Sequence, residues 1–203
     1  KDDDKLIDIY HKMIQLNPNL LDIHLGLGYL YTDNEIFDLA IDEYEKVLEL
    51  DPNNEKAIFY LTYIYFSEGK AVETLNLFEK LDGKGLLNDE MLQDYASNLF
   101  IEGKNPEPII ERIKDKSKIS NLTKAIIFYK NEKLDKAKKL FEQVVKEDES
   151  GIASYIGLIR IAVRKNNQDM EKKWRFVLAG NYYKLQLYEK ALDESKKVKS
   201  IDP

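Results

Sequence analysis

Asn17-Pro18 and Asp51-Pro52 stand 34 residues apart, each closing an apolar-periodic run. A chain that repeats at this period folds as a stack of small, similar units. Each unit buries its hydrophobic face only against its neighbours, so the core is continuous and has no single central pocket. The expected job of such a stack is to hold another molecule.

The period inside the runs is helical. Ile36, Ala40, Tyr44, Val47 and Leu48 fall at three- and four-residue steps and mark one apolar stripe. Asp33-Asn34 ahead of the run reads as its N-cap. Asp51-Pro52 stops it, because proline lacks an N–H and disfavours helix at the residue before it. Leu21 to Tyr31 reads as a second short helix, and so short a connection makes the two an antiparallel hairpin.

His24, Leu27-Gly28 and Tyr31, followed by Ala40, Tyr44 and Pro52, match the spacings W-x2-L-G-x2-Y…A-x3-F…P. The segment resembles a tetratricopeptide repeat, with His in the usual Trp place and Tyr in the usual Phe place. Gly28 and Ala40 are small where two helices approach closely, and Tyr31 and Tyr44 fill space between adjacent units. Residues 55–88 read as the next unit, with Leu61, Tyr65 and Phe78 in register and Thr62 and Thr74 in the small places. Residues 89–117 form a divergent unit, in which Ala96 marks the first helix and Pro106 and Pro108 start a brief second one. Residues 118–151 resume the pattern with Ala125, Phe128, Ala137 and Phe141, and residues 172–203 repeat it with Leu178-Ala179, Tyr182, Ala191 and Pro203. Residues 3–20 read as a partial repeat. Residues 152–171 are incomplete: Ile152 to Arg164 is a first helix with no second one, unless Met170 to Leu185 serves or residues are absent from the numbering. Trp174 sits one place off the usual Trp position.

The resemblance implies an all-α fold: a right-handed superhelical array of about five antiparallel helix pairs, a tetratricopeptide-like α-solenoid in one domain over residues 1–203. Composition agrees. Hydrophobic residues make up 43%, enough for a continuous core, and 9 Gly with 5 Pro are too few punctuators for an all-β sandwich. Without cysteine there are no disulfides, thiolate metal sites or cysteine nucleophile. No run approaches about 18 apolar residues, so no membrane span is expected. The chain starts at Lys1 and stops at Pro203, at the end of a repeat-like phrase, which suggests an excised domain. Its opening KDDDK resembles part of an enterokinase-type affinity tag with one Asp fewer. The compartment stays open, with the cytoplasm favoured over the periplasm or another.

Candidate chemistry is sparse. His11 is expected on the surface and His24 in an aromatic packing place; neither has a second His or Cys at metal-ligand spacing. No glycine-rich phosphate loop occurs. Asp2-Asp3-Asp4 and Glu147-Asp148-Glu149 lack the alternation and Gly turn of a calcium loop and read as solvated surface. The sequon Asn121-Leu122-Thr123 falls at a helix start and reads as coincidence. The chain is therefore expected to be no enzyme, with no cofactor and no metal.

The informative surface is the inner one, which the resemblance assigns to the first helices. Its places hold Leu25, Tyr29 and Thr32; Phe59, Tyr63 and Phe66; Gln93, Ser97 and Phe100; and Leu122, Ile126 and Tyr129. An apolar, aromatic stripe of this kind marks a binding site for a peptide or amphipathic helix. The alternative is that these residues pack within the array, or that the extra helix near Met170 covers part of them. Families that grip a chaperone's C-terminal carboxylate carry Lys, Asn and Arg at inner places. Here the matching places hold Leu25, Tyr29, Tyr60, Glu90 and Asp94, so that clamp is not expected.

Charge is polarised. Residues 1–110 hold 9 Lys and no Arg against 23 acids, net −14, whereas residues 111–203 hold 22 basic residues against 14 acids, net +8. Such polarity steers a partner of opposite pattern or drives contacts between copies, so self-association is a further expectation. The basic half reads as a solvated helix face, with Glu132–Lys136 and Asp135–Lys139 spaced as i,i+4 pairs, rather than as a nucleic-acid surface. The expected function is a protein–protein interaction scaffold with a protein or peptide partner. The alternatives are the substrate-recruiting or regulatory array of a larger enzyme, or a structural subunit of an assembly.

Overall fold

The computed structural model describes residues 2–147 and 151–201, and the described residues form helices, turns and no strand. The array expected from the repeat pattern gathers into two compact units, Lys1–Leu86 and Leu87–Pro203. Asp148 and Glu149 of the acidic run and the closing Asp202-Pro203 lie outside the described residues, as does the Asp2 side chain.

Unit 1 contains α1 (Asp2–Leu16), α2 (Leu21–Asp33), α3 (Phe37–Leu50), α4 (Glu55–Ser67) and α5 (Ala71–Gly83). Packing runs from each helix to the next, and α2 also touches α4, so the first helices of adjacent hairpins share one side. Close approach fixes the small residues. A Cβ on Gly28 would sit 2.6 Å from the Tyr44 ring, which leaves room for glycine alone. Tyr44, fully buried, then stacks on Tyr60 of the next hairpin with ring centroids 5.3 Å apart. His24 fills the usual Trp place as a buried polar tie. Its Nε2 donates to the Pro18 carbonyl at 2.9 Å, and its Nδ1 is hydrogen-bonded to Glu43 on α3 at 2.6 Å. His11 is exposed and bonds the Tyr31 hydroxyl at 2.9 Å, which joins α1 to α2.

One cap differs from expectation. Asp33-Asn34 does not start α3; Asp33 is the last residue of α2, and Asn34 closes it, its Nδ2 donating to the Leu30 carbonyl at 2.8 Å. A left-handed residue, Glu35 with φ 57°, then turns the chain. The same device recurs at the fifteenth place of every segment: Gly69, Gly103, Glu132, Asn166 and Gln186 also have positive φ. After each, the next N–H (Ile36, Lys70, Lys104, Lys133, Asn167, Leu187) reaches back to the carbonyl five residues earlier at 2.8 to 2.9 Å. This satisfies a terminal helix carbonyl and reverses the chain in one step. These six turns are a backbone marker of the repeat, and they persist where the side-chain pattern fades.

Unit 2 contains α6 (Asp89–Ile101), the short α7 (Glu107–Glu111), a 3-10 turn (Lys116–Lys118), α8 (Asn121–Lys130), α9 (Leu134–Glu147), α10 (Ile152–Arg164), α11 (Gln168–Lys184) and α12 (Tyr188–Ile201). Polar ties replace the missing length of α7. Asp89 accepts from the backbone N–H groups of Lys114 at 3.0 Å and Asp115 at 2.7 Å, which hold its carboxyl below the usual range. The incomplete segment resolves in favour of sharing. Met170 to Leu185 falls almost wholly in α11, which packs against α10 before it and α12 after it. Turns at both Asn166 and Gln186 bracket it, so α11 is the second helix of one hairpin and the first of the next. Arg175 clasps this pair, binding Glu171 of its own helix and Glu194 of α12, each at 2.7 Å and largely buried.

Candidate functional site

The inner places meet opposite fates in the two units. In unit 1 they are open. Tyr29 is 51% exposed, Phe59 46%, Tyr63 54% and Phe66 37%. Leu25 is half-buried beside them, and Thr32 is engaged, donating to the Gly28 carbonyl at 2.8 Å and meeting the Tyr44 hydroxyl at 3.1 Å. The rings are held, not loose. Tyr60 stacks flat on buried Tyr44 and presents its edges to Tyr29 at 6.1 Å and Phe59 at 5.6 Å. Burial pushes the Tyr44 hydroxyl up to about 12, so this pivot stays neutral. An aromatic surface with fixed ring orientations and half its area exposed is suited to anchor an apolar partner with little ordering cost.

In unit 2 the same register is filled. Phe100 is 2% exposed, Ile126 0% and Tyr129 8%, and none of the three is open to a partner. The expectation that they line a groove is corrected by α10, which packs on α6, α8 and α9. The Arg160 guanidinium lies 4.7 Å from the Phe100 ring centre and donates to the Phe100 and Ile101 carbonyls at the end of α6. Arg164 lies 4.3 Å from the centre of the Tyr129 ring. Burial lowers the Arg160 guanidinium from its ordinary value, while Tyr129 and Glu102 pull the other way. Leu122 is half-buried on α8. Gln93 and Ser97 are also committed: the Gln93 carboxamide accepts from the Ser120 N–H at 2.7 Å, and Ser97 donates to the Gln93 carbonyl at 2.9 Å. The pairs expected along α9 differ too, because Glu132 binds Arg164 at 2.6 Å and Asp135 binds Lys165, both cations at the end of α10.

Two inner-register residues escaped the sequence reading. Phe176 and Tyr183 on α11 are 73% and 67% exposed. They stand at the fifth and twelfth places counted from Lys172, where Phe59 and Phe66 stand counted from Glu55. That count was the signal, and the displaced Trp174 obscured it. A cavity of about 610 Å³ in unit 2 is lined by Arg160, Arg175, Leu178, Tyr182, Glu194 and Lys197, among others. Its lining mixes apolar side chains such as Ile159 and Leu178 with charges that largely satisfy one another: Lys197 binds Asp193 and Glu194, and Arg175 binds Glu171 and Glu194. Burial, then Glu194, raises the Tyr182 hydroxyl to about 12. Among the described residues no three His, Cys, Asp or Glu side chains converge to hold a metal ion, and no helix is long and apolar enough to cross a membrane.

Residues 21–54 match the tetratricopeptide repeat family model. This segment is a tetratricopeptide repeat. No curated protein matches the chain in sequence. Among solved structures, YrrB, a tetratricopeptide protein with an unusual peptide-binding site, is similar at 18% identity and a TM-score of 0.50 over 92% of this chain and 97% of that one. A tetratricopeptide repeat protein from Parabacteroides merdae aligns at 15% identity and a TM-score of 0.50, covering 99% of this chain and 93% of its own. A chain of the APC/C hetero-tetramer Cut9–Hcn1 aligns at 12% identity and a TM-score of 0.51, with 99% of this chain covering 43% of that one. At these identities the likeness is one of fold. Repeat and fold are those of protein–protein interaction scaffolds.

Proposed function

We propose that the chain is a non-catalytic scaffold that holds a peptide or helix of a partner protein on the inner face of its unit 1 tetratricopeptide hairpins. The observation that carries this reading is the row Tyr29, Phe59, Tyr63 and Phe66: large rings from two successive first helices, one-third to one-half exposed, with Tyr29 and Phe59 oriented by Tyr60. A contiguous exposed apolar patch of this size is a docking feature, and Tyr is a favoured anchor. A protein partner is favoured over a nucleic acid. Arg160, Arg164 and Arg175 are engaged with the protein's own rings, carbonyls and carboxylates and are not offered to a phosphate backbone.

The test is affinity capture with the intact protein and with a variant carrying Tyr29→Ala, Phe59→Ala and Tyr63→Ala, with circular dichroism to verify the fold. Partners identified with the parent are expected to drop out with the variant. Capture that survives unchanged refutes the inner-face reading.

A further inference from the structure

We infer that the inner face of unit 1 takes an apolar helix carrying basic residues, arginine foremost, at i,i+4 spacing. This rests on the reading of that face as a partner-binding surface and adds the partner's chemistry. The molecule contains its own template. In unit 2 the inner register of α6 and α8 is occupied by α10, an apolar helix of sequence IASYIGLIRIAVR. Its Arg160 and Arg164, four residues apart, place their guanidinium groups 4.7 Å and 4.3 Å from the Phe100 and Tyr129 ring centres. Such a helix supplies side chains for the apolar ground between the rings and a cation for each electron-rich face.

Unit 1 presents a comparable ring pair one turn earlier: Tyr29 and Tyr63 stand at the ninth places of adjacent first helices, as Phe100 and Tyr129 stand at the twelfth, and both are half-exposed. Residues 1–86 contain no arginine, and among the described residues no cation lies over Tyr29, Phe59, Tyr63 or Phe66. The surroundings are complementary to a cation. Asp22 and Asp33 are exposed at either end of the α2 stripe. Residues 1–86 carry 8 Lys against 18 acids, a net charge of −10. That field draws a basic segment in and opposes an acidic helix or a nucleic acid.

The test uses three capped helical peptides of about 16 residues, long enough to cross two helices. They share one leucine stripe and differ only at the i,i+4 places beside it, which hold Arg, Lys or Glu. Each is titrated into the intact chain and followed by fluorescence anisotropy and by amide NMR shifts. The Arg peptide is expected to bind, to shift amides of α2 and α4, and to exceed the Glu peptide by about tenfold or more, with Lys between them. The double variant Phe59→Ala, Tyr63→Ala, whose side chains are exposed enough to leave the fold intact, is expected to lose about tenfold or more for the Arg peptide. No binding of the Arg peptide up to about 1 mM, a bare few kcal/mol, overturns the inference. Equal binding of the Glu peptide, lost in the double variant, overturns the basic partner while the partner-binding face stands. Binding that ignores the double variant overturns both.

Discussion

Phe66 and Phe100 stand at the same twelfth place of their segments, yet one is 37% exposed and the other 2%. The difference lies in neither residue. It comes from α10, some sixty residues after Phe100, which packs across α6 and α8. Repeat register therefore fixes which side chains look inward, while vacancy depends on what else arrives there. A vacant ring row and an occupied one in a single chain also serve as mutual controls, with Phe66 and Phe100 as the matched pair.

The largest contrast is expected in stability. Phe100→Ala empties a packed site and should cost about 3–5 kcal/mol, whereas Phe59→Ala, half in water, should cost less than about 1 kcal/mol. Urea titration of the two variants checks this, and a large loss in Phe59→Ala would mean that the unit 1 face is not open. Next, Arg160→Met keeps the bulk over Phe100 but removes the charge and its donors to the end of α6, and should cost about 2 kcal/mol. The same change at exposed Lys56 on the open face should be near neutral, and parallel thermal melts compare them.

A smaller effect depends on pH. Burial, then Glu90 one turn away, raises the Asp94 carboxyl to about 6 from an ordinary value of 3.8. Between those values the folded chain holds a proton that the unfolded chain has released, so this residue's contribution to stability declines as pH rises toward about 6 and stays low above it. Asp94→Asn should raise the melting temperature at pH 7 and leave it nearly unchanged at about pH 4, read by thermal melts across that range. The smallest effect concerns what the units share. Glu35→Gly and Gln186→Gly relieve a left-handed backbone and should each add up to about 1 kcal/mol in either unit, by chemical denaturation.

Much of the fold was legible because local chemistry wrote it. Gly28, Ala40, Tyr44 and Pro52 are each dictated by contacts within one hairpin or with the next, and those contacts recur at a fixed sequence distance. The turn at Glu35 was misread because Asp33-Asn34 has cap chemistry at both ends of a helix; Asn34 ends α2 instead of starting α3. The inner face is half legible in the sequence: counting places Tyr29, Phe59, Tyr63 and Phe66 on it, but does not show the closure over Phe100, Ile126 and Tyr129. Burial there depends on Arg160 and Arg164, distant in sequence, and charge patterning alone reads such arginines as solvent-facing. Gln93 likewise stands at an inner place, yet its carboxamide oxygen is spent as the acceptor for Ser120 and Thr123.

The helix shared by the last two hairpins changes how the chain comes apart. In a plain repeat stack, a terminal hairpin can fray while its neighbour survives, because the two own separate helices. Here α11 belongs to both, bracketed by the turns at Asn166 and Gln186. Helix α12 can open by itself, but melting the whole last hairpin strips α10 of its cover and uncovers Tyr155, Leu178 and Tyr182 together. Amide hydrogen exchange along α10 and α11 should therefore proceed as one cooperative step.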